Sequence, residues 1–299
     1  MNYIIITPAY NEEKYIEKTL ESVIVQSVKP MKWVIVDDGS TDRTADIIKS
    51  YTSRFSWIKY TLRTREASQS YYASNVYAIF QGVASLEDEA YDYLAILDAD
   101  ITLPPDYYQS LGAILASDAR LGIASGNCVD KIDNKIIRHL YDRRSCAKAI
   151  MVFRKTCFDQ IGGFVPLKYG GEDTCACFSA RMFGWKTWAF HELMATHNKP
   201  LGTGPSNKVL SIRFRQGLCD WALAAPLSFV ILKSVRRCIK EPPFIIGGLA
   251  RMVGYLYGLF SRKKRQIPKD LASYIRREQL SRILKGNKIP VAQRVEYKF

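Results

Sequence analysis

Asp98 and Asp100 are the residues of this chain best placed to do chemistry. They stand two apart at the end of an apolar run, Tyr93-Leu94-Ala95-Ile96-Leu97, and ahead of Thr102-Leu103-Pro104-Pro105. Two carboxylates at that spacing, at the mouth of a buried strand, make a hard-cation site open to solvent on one side. Such a site suits a divalent metal that keeps waters and also grips a substrate diphosphate. The pattern points to a protein that handles a nucleotide, by transferring a sugar, by transferring a nucleotide, or by binding alone.

The elements that must position this pair show as short apolar runs. Residues 3–7, 33–36, 58–62 and 93–97 read as buried strands. Each is followed by apolar residues at helical spacing: Glu12 to Gln26, Thr41 to Tyr51, Ser70 to Ala84, and Asp106 to Ser117. Strand alternating with helix predicts an α/β fold, a doubly wound, mostly parallel sheet with helices on both faces. Ligands of such sheets sit beyond the carboxyl ends of the strands. Polar groups gather there repeatedly: Pro8-Ala9-Tyr10-Asn11-Glu12, then Asp37-Asp38, then Thr64-Arg65, then Asp98 and Asp100. No GxGxxG or GxxxxGK[ST] run is present, which counts against dinucleotide and P-loop readings. Further along, residues 122–126 and 149–153 read as strands and Thr156 to Ile161 as a short helix. Gly170-Gly171 opens a helix through Phe183 that Gly184 caps, and residues 187–195 are extended, leading to His197.

Five motifs occur in order: TPAYNEE (7–13), VDDGSTD (36–42), the 98–100 pair, IGGF (161–164) and GGED (170–173). Together they resemble glycosyltransferase family 2, with its nucleotide-sugar-binding GT-A fold, over roughly residues 1–200. The resemblance implies an inverting transferase. Asp38 would accept the ring N–H of a pyrimidine base, and Pro8, Ala9 and Tyr10 would flank that base, with Tyr10 free to stack. Glu12 either reaches the nucleotide or simply favours a helix N-terminus. Arg65 stands where the family places a basic residue near the diphosphate, although Arg63 is equally near. The family's small, Gly-containing stretch is replaced here by Glu66-Ala67-Ser68-Gln69-Ser70-Tyr71-Tyr72. Asp100 would bind a divalent metal, Mn²⁺ or Mg²⁺, directly, with Asp98 on ribose or metal water and His197 as a further ligand.

Inverting transfer needs one carboxylate to take the proton of the acceptor hydroxyl. Asp173, at a helix start behind two glycines that leave room for an acceptor, is the expected base. Glu172 should point elsewhere and brace the site, and Arg181 either pairs with an acid or lies on the surface. The polymer-clamping Gln-x-x-Arg-Trp order of processive relatives is not matched by Arg213-Phe214-Arg215-Gln216-Gly217 with Trp221 beyond it, so single addition is expected.

The net charge of +14 is unevenly spread. Residues 205–299 hold 20 Lys or Arg and 5 Asp or Glu, whereas residues 1–204 are near neutral at −1. This divides the chain into a catalytic domain, 1–204, and a basic, amphipathic helical C-terminal region, 205–299. Its apolar runs, Ala222 to Leu232 and Pro242 to Phe260, fall short of a membrane span and are flanked by Arg236-Arg237, Lys240 and Arg262-Lys263-Lys264-Arg265. Apolar helices bracketed by cations fit an anionic membrane interface. A homodimer face is the competing use, and no nucleic-acid module is visible. The start of the chain carries no basic leader, and seven cysteines without a CxxC pair read as ordinary thiols. The expectation is thus a cytoplasmic enzyme, peripheral on the inner face of the cell membrane. It would take a nucleotide-sugar, most simply a UDP-sugar, and a glycan or lipid-linked acceptor. The rivals are a sugar-phosphate nucleotidyltransferase, which should show an Arg-Lys-containing Gly-rich loop after the first strand, and a non-catalytic membrane-docking protein of the same fold.

Overall fold

A computed structural model describes residues 1–86, 89–132, 135–138, 142–199, 208–240, 243–261 and 263–285. The chain runs β1 (Tyr3–Ala9), α1 (Ile16–Ile24), β2 (Lys32–Asp37), α2 (Thr44–Thr52), β3 (Ile58–Leu62), α3 (Tyr71–Ala84) and β4 (Tyr93–Leu97). Then follow β5 (Ile101–Thr102), α4 (Tyr107–Ser117), β6 (Leu121–Ile132), β7 (Lys135–Arg138), β8 (Ile150–Arg154), α5 (Lys155–Ile161), α6 (Glu172–Met182) and β9 (Lys186–His197). Helices α7 (Val209–Ala222), α8 (Leu227–Lys240), α9 (Phe244–Phe260) and α10 (Lys269–Lys285) complete the described residues.

The strands form one sheet in the order β3-β2-β1-β4-β8-β6-β9-β5, with β7 pairing β6. The first four are parallel, and only β8, β5 and β7 run against their neighbours. Residues of a strand alternate between faces, so an unbroken apolar run means both faces are covered. Tyr3 and Ile5 pack with Ile16 and Leu20 of α1 and Tyr107 of α4. Ile4 and Ile6 pack on the other face with Val76 and Ile79 of α3 and Phe158 of α5.

One irregularity sets up the site. Strand β9 pairs β6 in parallel up to Ser125↔Ala189, then resumes at Asn127↔Met194. The extra residues of β9 pass over Gly126, where a Cβ would lie 2.2 Å from the Leu193 carbonyl oxygen, so no larger residue fits. The bulge re-aims the end of β9 and pairs His197 with Asp130 on one side and Ile101 on the other.

The C-terminal helices divide by burial. Leu223 and Ala224 after α7, Ile267, and Leu271 and Ile275 of α10 join Leu167, Cys175 and Phe178 in a core cluster. Arg181 ion-pairs with Glu278 of α10 at 3.0 Å, and Arg282 reaches Asp142 at 2.9 Å. Helices α7 and α9 cross at backbone contact, since a Cβ on Gly217 would sit 1.9 Å from the Arg251 carbonyl. Beside that crossing the buried Arg251 and Asp220 pair at 2.6 Å. Among the described residues no helix is long and apolar enough to cross a membrane. The expected boundary at 204/205 and the side chain of Arg262 lie outside the described residues.

Candidate active site

The loops after β1 and β2 are tied to each other before they meet a ligand. Asn11 takes a left-handed backbone, φ 54°, which asparagine tolerates better than most residues. Its carboxamide oxygen accepts the Thr41 N–H at 2.8 Å, and its own N–H donates to Ser40 Oγ at 3.0 Å. Asp37 serves the turn, accepting from the Ser40 N–H at 2.8 Å and the Tyr60 hydroxyl at 3.0 Å. Asp38 is the one that faces the cleft. It is buried, accepts from the Ser74 hydroxyl at 2.6 Å and pairs with the buried Arg63. The two arginines that sequence left level take different work. Arg63 fixes Asp38, Ser74 and Gln69, while Arg65 lines the cleft with its guanidinium 4.4 Å from the Tyr10 ring centre.

At the other end of the cleft stand the paired aspartates. The Asp98 carboxylate accepts from Lys148 Nζ at 2.6 Å, and that ammonium also donates to Asn75 at 2.9 Å. Asp100 is buried with its Oδ2 3.4 Å from His197 Nε2, and His197 Nδ1 is 3.4 Å from Asp130. Burial disfavours the charged imidazole, but the contacts to Asp100 and Asp130 outweigh it and push the His197 pKa up to about 10. Burial likewise opposes the Asp100 carboxylate, yet His197, Lys199 and Lys148 hold it below the usual range. Asn198 grips the Asp100 carbonyl through its backbone and side-chain N–H groups at 2.9 and 3.0 Å, which locks β9 onto this turn. Glu12 is buried and pairs with Lys199 at 2.8 Å, and burial and the nearby Asp100 push its pKa up to about 7.

These groups converge on one open cleft of about 440 Å³, lined by Pro8, Ala9, Tyr10, Glu12, Asp38, Arg65, Tyr71, Asn75, Asp98, Ala99 and Asp100. Four carboxylates line it, and each holds a basic partner from a different stretch of chain: Asp38 with Arg63, Asp98 with Lys148, Asp100 with His197, Glu12 with Lys199. Each of the four carboxylates is thus matched by a cation, and Arg65 adds a further positive charge to the lining.

Asp173 is half-buried in the first turn of α6 and accepts the Thr174 N–H at 2.6 Å. It is not among the residues lining the cleft above. Lys148 links the two places, because its charge acts on Asp98, Glu172 and Asp173 alike. Burial pushes both carboxyls of the Glu172–Asp173 pair up from their ordinary values. Glu172 Oε2 is buried with no hydrogen-bond partner among the described residues. The turn before the pair is held from outside by α7: Arg215 donates to the Tyr169 carbonyl at 2.9 Å and Cys219 to that of Gly170 at 3.1 Å.

Every residue expected near the nucleotide lines the cleft, and His197 stands directly behind Asp100. Lys148, Asp130, Lys199, Asn75 and Ser74 were not foreseen. Their only sequence signal was a polar residue beside a strand end or early in a helix. The residues that could hold a divalent metal are Asp100 and His197, whose facing atoms lie 3.4 Å apart as an ion pair, so a metal would have to displace the imidazole proton. Among the described residues no three such side chains close on one point. Water and a diphosphate would have to complete the shell.

Comparison with known proteins follows the same lines. The sequence model of the family described as glycosyl transferase family 2 matches residues 4–181. Validoxylamine A glucosyltransferase of Streptomyces hygroscopicus subsp. limoneus is 31% identical over 126 residues, 42% of this chain and 26% of that protein. Glycosyltransferase AglE of Haloferax volcanii is 24% identical over 229 residues, 71% of each chain. The chain thus spans about a quarter of the first relative's length. Among solved structures, the mannosyltransferase PcManGT of Pyrobaculum calidifontis, in complex with GDP-Man and Mn²⁺, superposes with a TM-score of 0.55 at 17% identity, over 97% of this chain and 77% of that one. TarS of S. aureus, residues 1–349 with UDP-GlcNAc, gives 0.55 at 15% identity over 88% and 74%. At those identities the likeness is one of fold.

Proposed function

The chain belongs to glycosyl transferase family 2 and is a glycosyltransferase, and on that premise we propose that it moves a sugar from a UDP-sugar to a glycan or polyprenyl-linked acceptor, with inversion. The observation that carries the reading is the arrival of Asp38, Asp98 and Asp100 from separate strand ends in one cleft. Asp38, fixed by Arg63 and Ser74, offers a buried carboxylate to the ring N–H of uracil. Tyr10 and Arg65 flank it, and Asp98 serves the ribose or a metal-bound water.

Asp100 and His197 would hold the divalent metal, which would neutralise charge on the departing diphosphate. Lys148, Lys199 and Arg65 add fixed positive charge near the same place. Asp173 takes the proton from the acceptor hydroxyl as its oxygen attacks the anomeric carbon. The bond to the diphosphate breaks on the opposite face, and the nucleoside diphosphate leaves with the bonding pair. Burial raises the basicity of Asp173 over that of a solvated aspartate. The unmatched order at Arg213 to Gly217 supports single addition. The basic region 205–299 supports a seat on the cytoplasmic face of the cell membrane, where a lipid-linked acceptor would be presented.

A sugar-phosphate nucleotidyltransferase is disfavoured because TPAYNEE is not its phosphate loop. A non-catalytic docking protein has no need of Asp173. A thermal-shift screen of nucleoside diphosphates and their sugars, with Mn²⁺ or Mg²⁺, tests the proposal. UDP with metal should raise the melting temperature of the wild type and leave Asp38→Ala unmoved. Failure of every nucleoside diphosphate to shift the protein overturns it.

A further inference from the structure

The surface left open by the C-terminal helices is concentrated on one hairpin. Leu232 and Ile239 of α8 and Ile245, Ile246, Leu249 and Phe260 of α9 are exposed, with Ile239 at 70% and Phe260 at 76%. Monomeric soluble proteins seldom leave large apolar side chains open in a continuous patch. Cations are exposed on and beside the same helices: Arg236, between Leu232 and Ile239 along one stripe of α8, and Lys263 and Lys264 after α9. From Leu227 to Arg265 the sequence has nine Lys or Arg and one acid, Glu241.

The neighbouring helices carry fewer such residues, Val209 and Leu210 at the start of α7 and Leu280 and Leu284 late in α10. The end of α7 and the inner face of α10 are built into the catalytic domain's core. The inner face of the hairpin is also satisfied, because Gly254 of α9 meets the Phe214 carbonyl of α7 at backbone distance and Arg251 is spent on the buried Asp220. What remains outward combines large apolar side chains with cations.

We propose that the α8–α9 hairpin, and not the C-terminal region as a whole, docks on an anionic bilayer and lies flat in its headgroup layer. Neither helix is long and apolar enough to span, so an interfacial position is the one that covers the apolar side chains while leaving the cations among phosphates. A second copy of the chain fits worse, since a symmetric contact through this face would bring two strongly basic surfaces together. Docking also has a consequence at the site. Helix α7 is locked to α9 on one side and holds the Tyr169 and Gly170 carbonyls on the other. The turn that carries Glu172 and Asp173 is thereby set at a fixed position relative to the bilayer. That consequence rests on the glycosyl-transfer reading above, whereas the docking does not.

Flotation of the full chain with vesicles tests it. Wild type should float with phosphatidylcholine–phosphatidylglycerol vesicles at equal proportions and remain below with phosphatidylcholine alone. Ile245→Glu/Ile246→Glu and, separately, Lys263→Glu/Lys264→Glu should each reduce the floated fraction about tenfold. Both double variants should keep the wild-type thermal shift with UDP and metal, which shows that they fold and separates this proposal from the functional one. If wild type does not float with anionic vesicles, or both variants float as well as wild type, the proposal is wrong. It is equally wrong if light scattering finds a dimer that Ile245→Glu/Ile246→Glu splits into monomers. Loss of the UDP shift in wild type would instead strike the functional reading and leave docking standing.

Discussion

At the scale of single residues, binding and chemistry fall to different side chains in the proposed reaction. Asp173→Asn removes the base but none of the cleft lining, so UDP binding should stay near wild type while kcat falls about 10³-fold. A titration paired with a transfer assay checks both halves. Because burial lifts the Asp173 carboxyl above the ordinary aspartate value of 3.8, and a base must be ionised, kcat/KM should fall as pH drops through a limb lying above 3.8. A limb at or below that value contradicts the assignment. Among the described residues Lys199 donates to Glu12 of the cleft at 2.8 Å. Lys199→Gln should weaken UDP binding roughly tenfold, as expected for one charge-assisted hydrogen bond, and calorimetry reads this directly. Glu172 carries a stability cost. Its folded pKa is raised by burial and by Asp173, so the folded state binds its proton more tightly than the unfolded state does. Stability is then highest when both states are protonated, and it declines as pH rises towards the raised value. Glu172→Gln should raise the melting temperature at pH 8 and do so less at pH 5; scanning calorimetry at both values decides. Pro8, Ala9, Tyr10, Glu12, Asp38, Asp98 and Asp100 were legible because each sits at a strand end in a recognisable motif, whereas Asn75 lines the cleft from within α3. Arg63 and Arg65 were not separable, since they lie two apart on extended chain and both approach Asp38, one in contact and one at 4.0 Å.

At the scale of elements, parallel strands and their helices were readable from period alone, because β1, β2 and β4 are buried on both faces and their apolar runs are unbroken. The antiparallel insertion of β8 between β4 and β6 was not, and with it went Lys148. Its place beside Asp98 follows from the Leu97↔Ile150 register, a long-range pairing that no local pattern encodes. The β9 bulge hid Asp130 in the same way, since the residue reaches His197 only after the strand is re-aimed. The tail was legible as apolar and basic, but the split into buried struts and an open hairpin depends on the crossing of α7 and α9. That crossing rests on the buried Asp220–Arg251 pair. Arg251→Met leaves the buried Asp220 with Lys233 alone, at 3.1 Å, so it should cost about 1–3 kcal/mol in urea unfolding, less than a fully orphaned buried charge. Asp220→Leu added to it should recover most of that loss.

For the whole molecule, the uneven charge acquires a structural meaning. The near-neutral first 204 residues form the sheet and cleft. The basic remainder contributes core struts at α7 and α10 and an outward hairpin between them. Helix α7 joins the turn before Asp173 to α9 of the hairpin, so the proposed acceptor side and the hairpin are mechanically linked. The proposed reaction turns on inversion by Asp173, and the anomeric configuration of the first product tests it most directly. Proton NMR of the product formed from an α-linked UDP-sugar should show a β linkage that is absent with Asp173→Asn. A product that keeps the α configuration, or a β product made at full rate by Asp173→Asn, would contradict it.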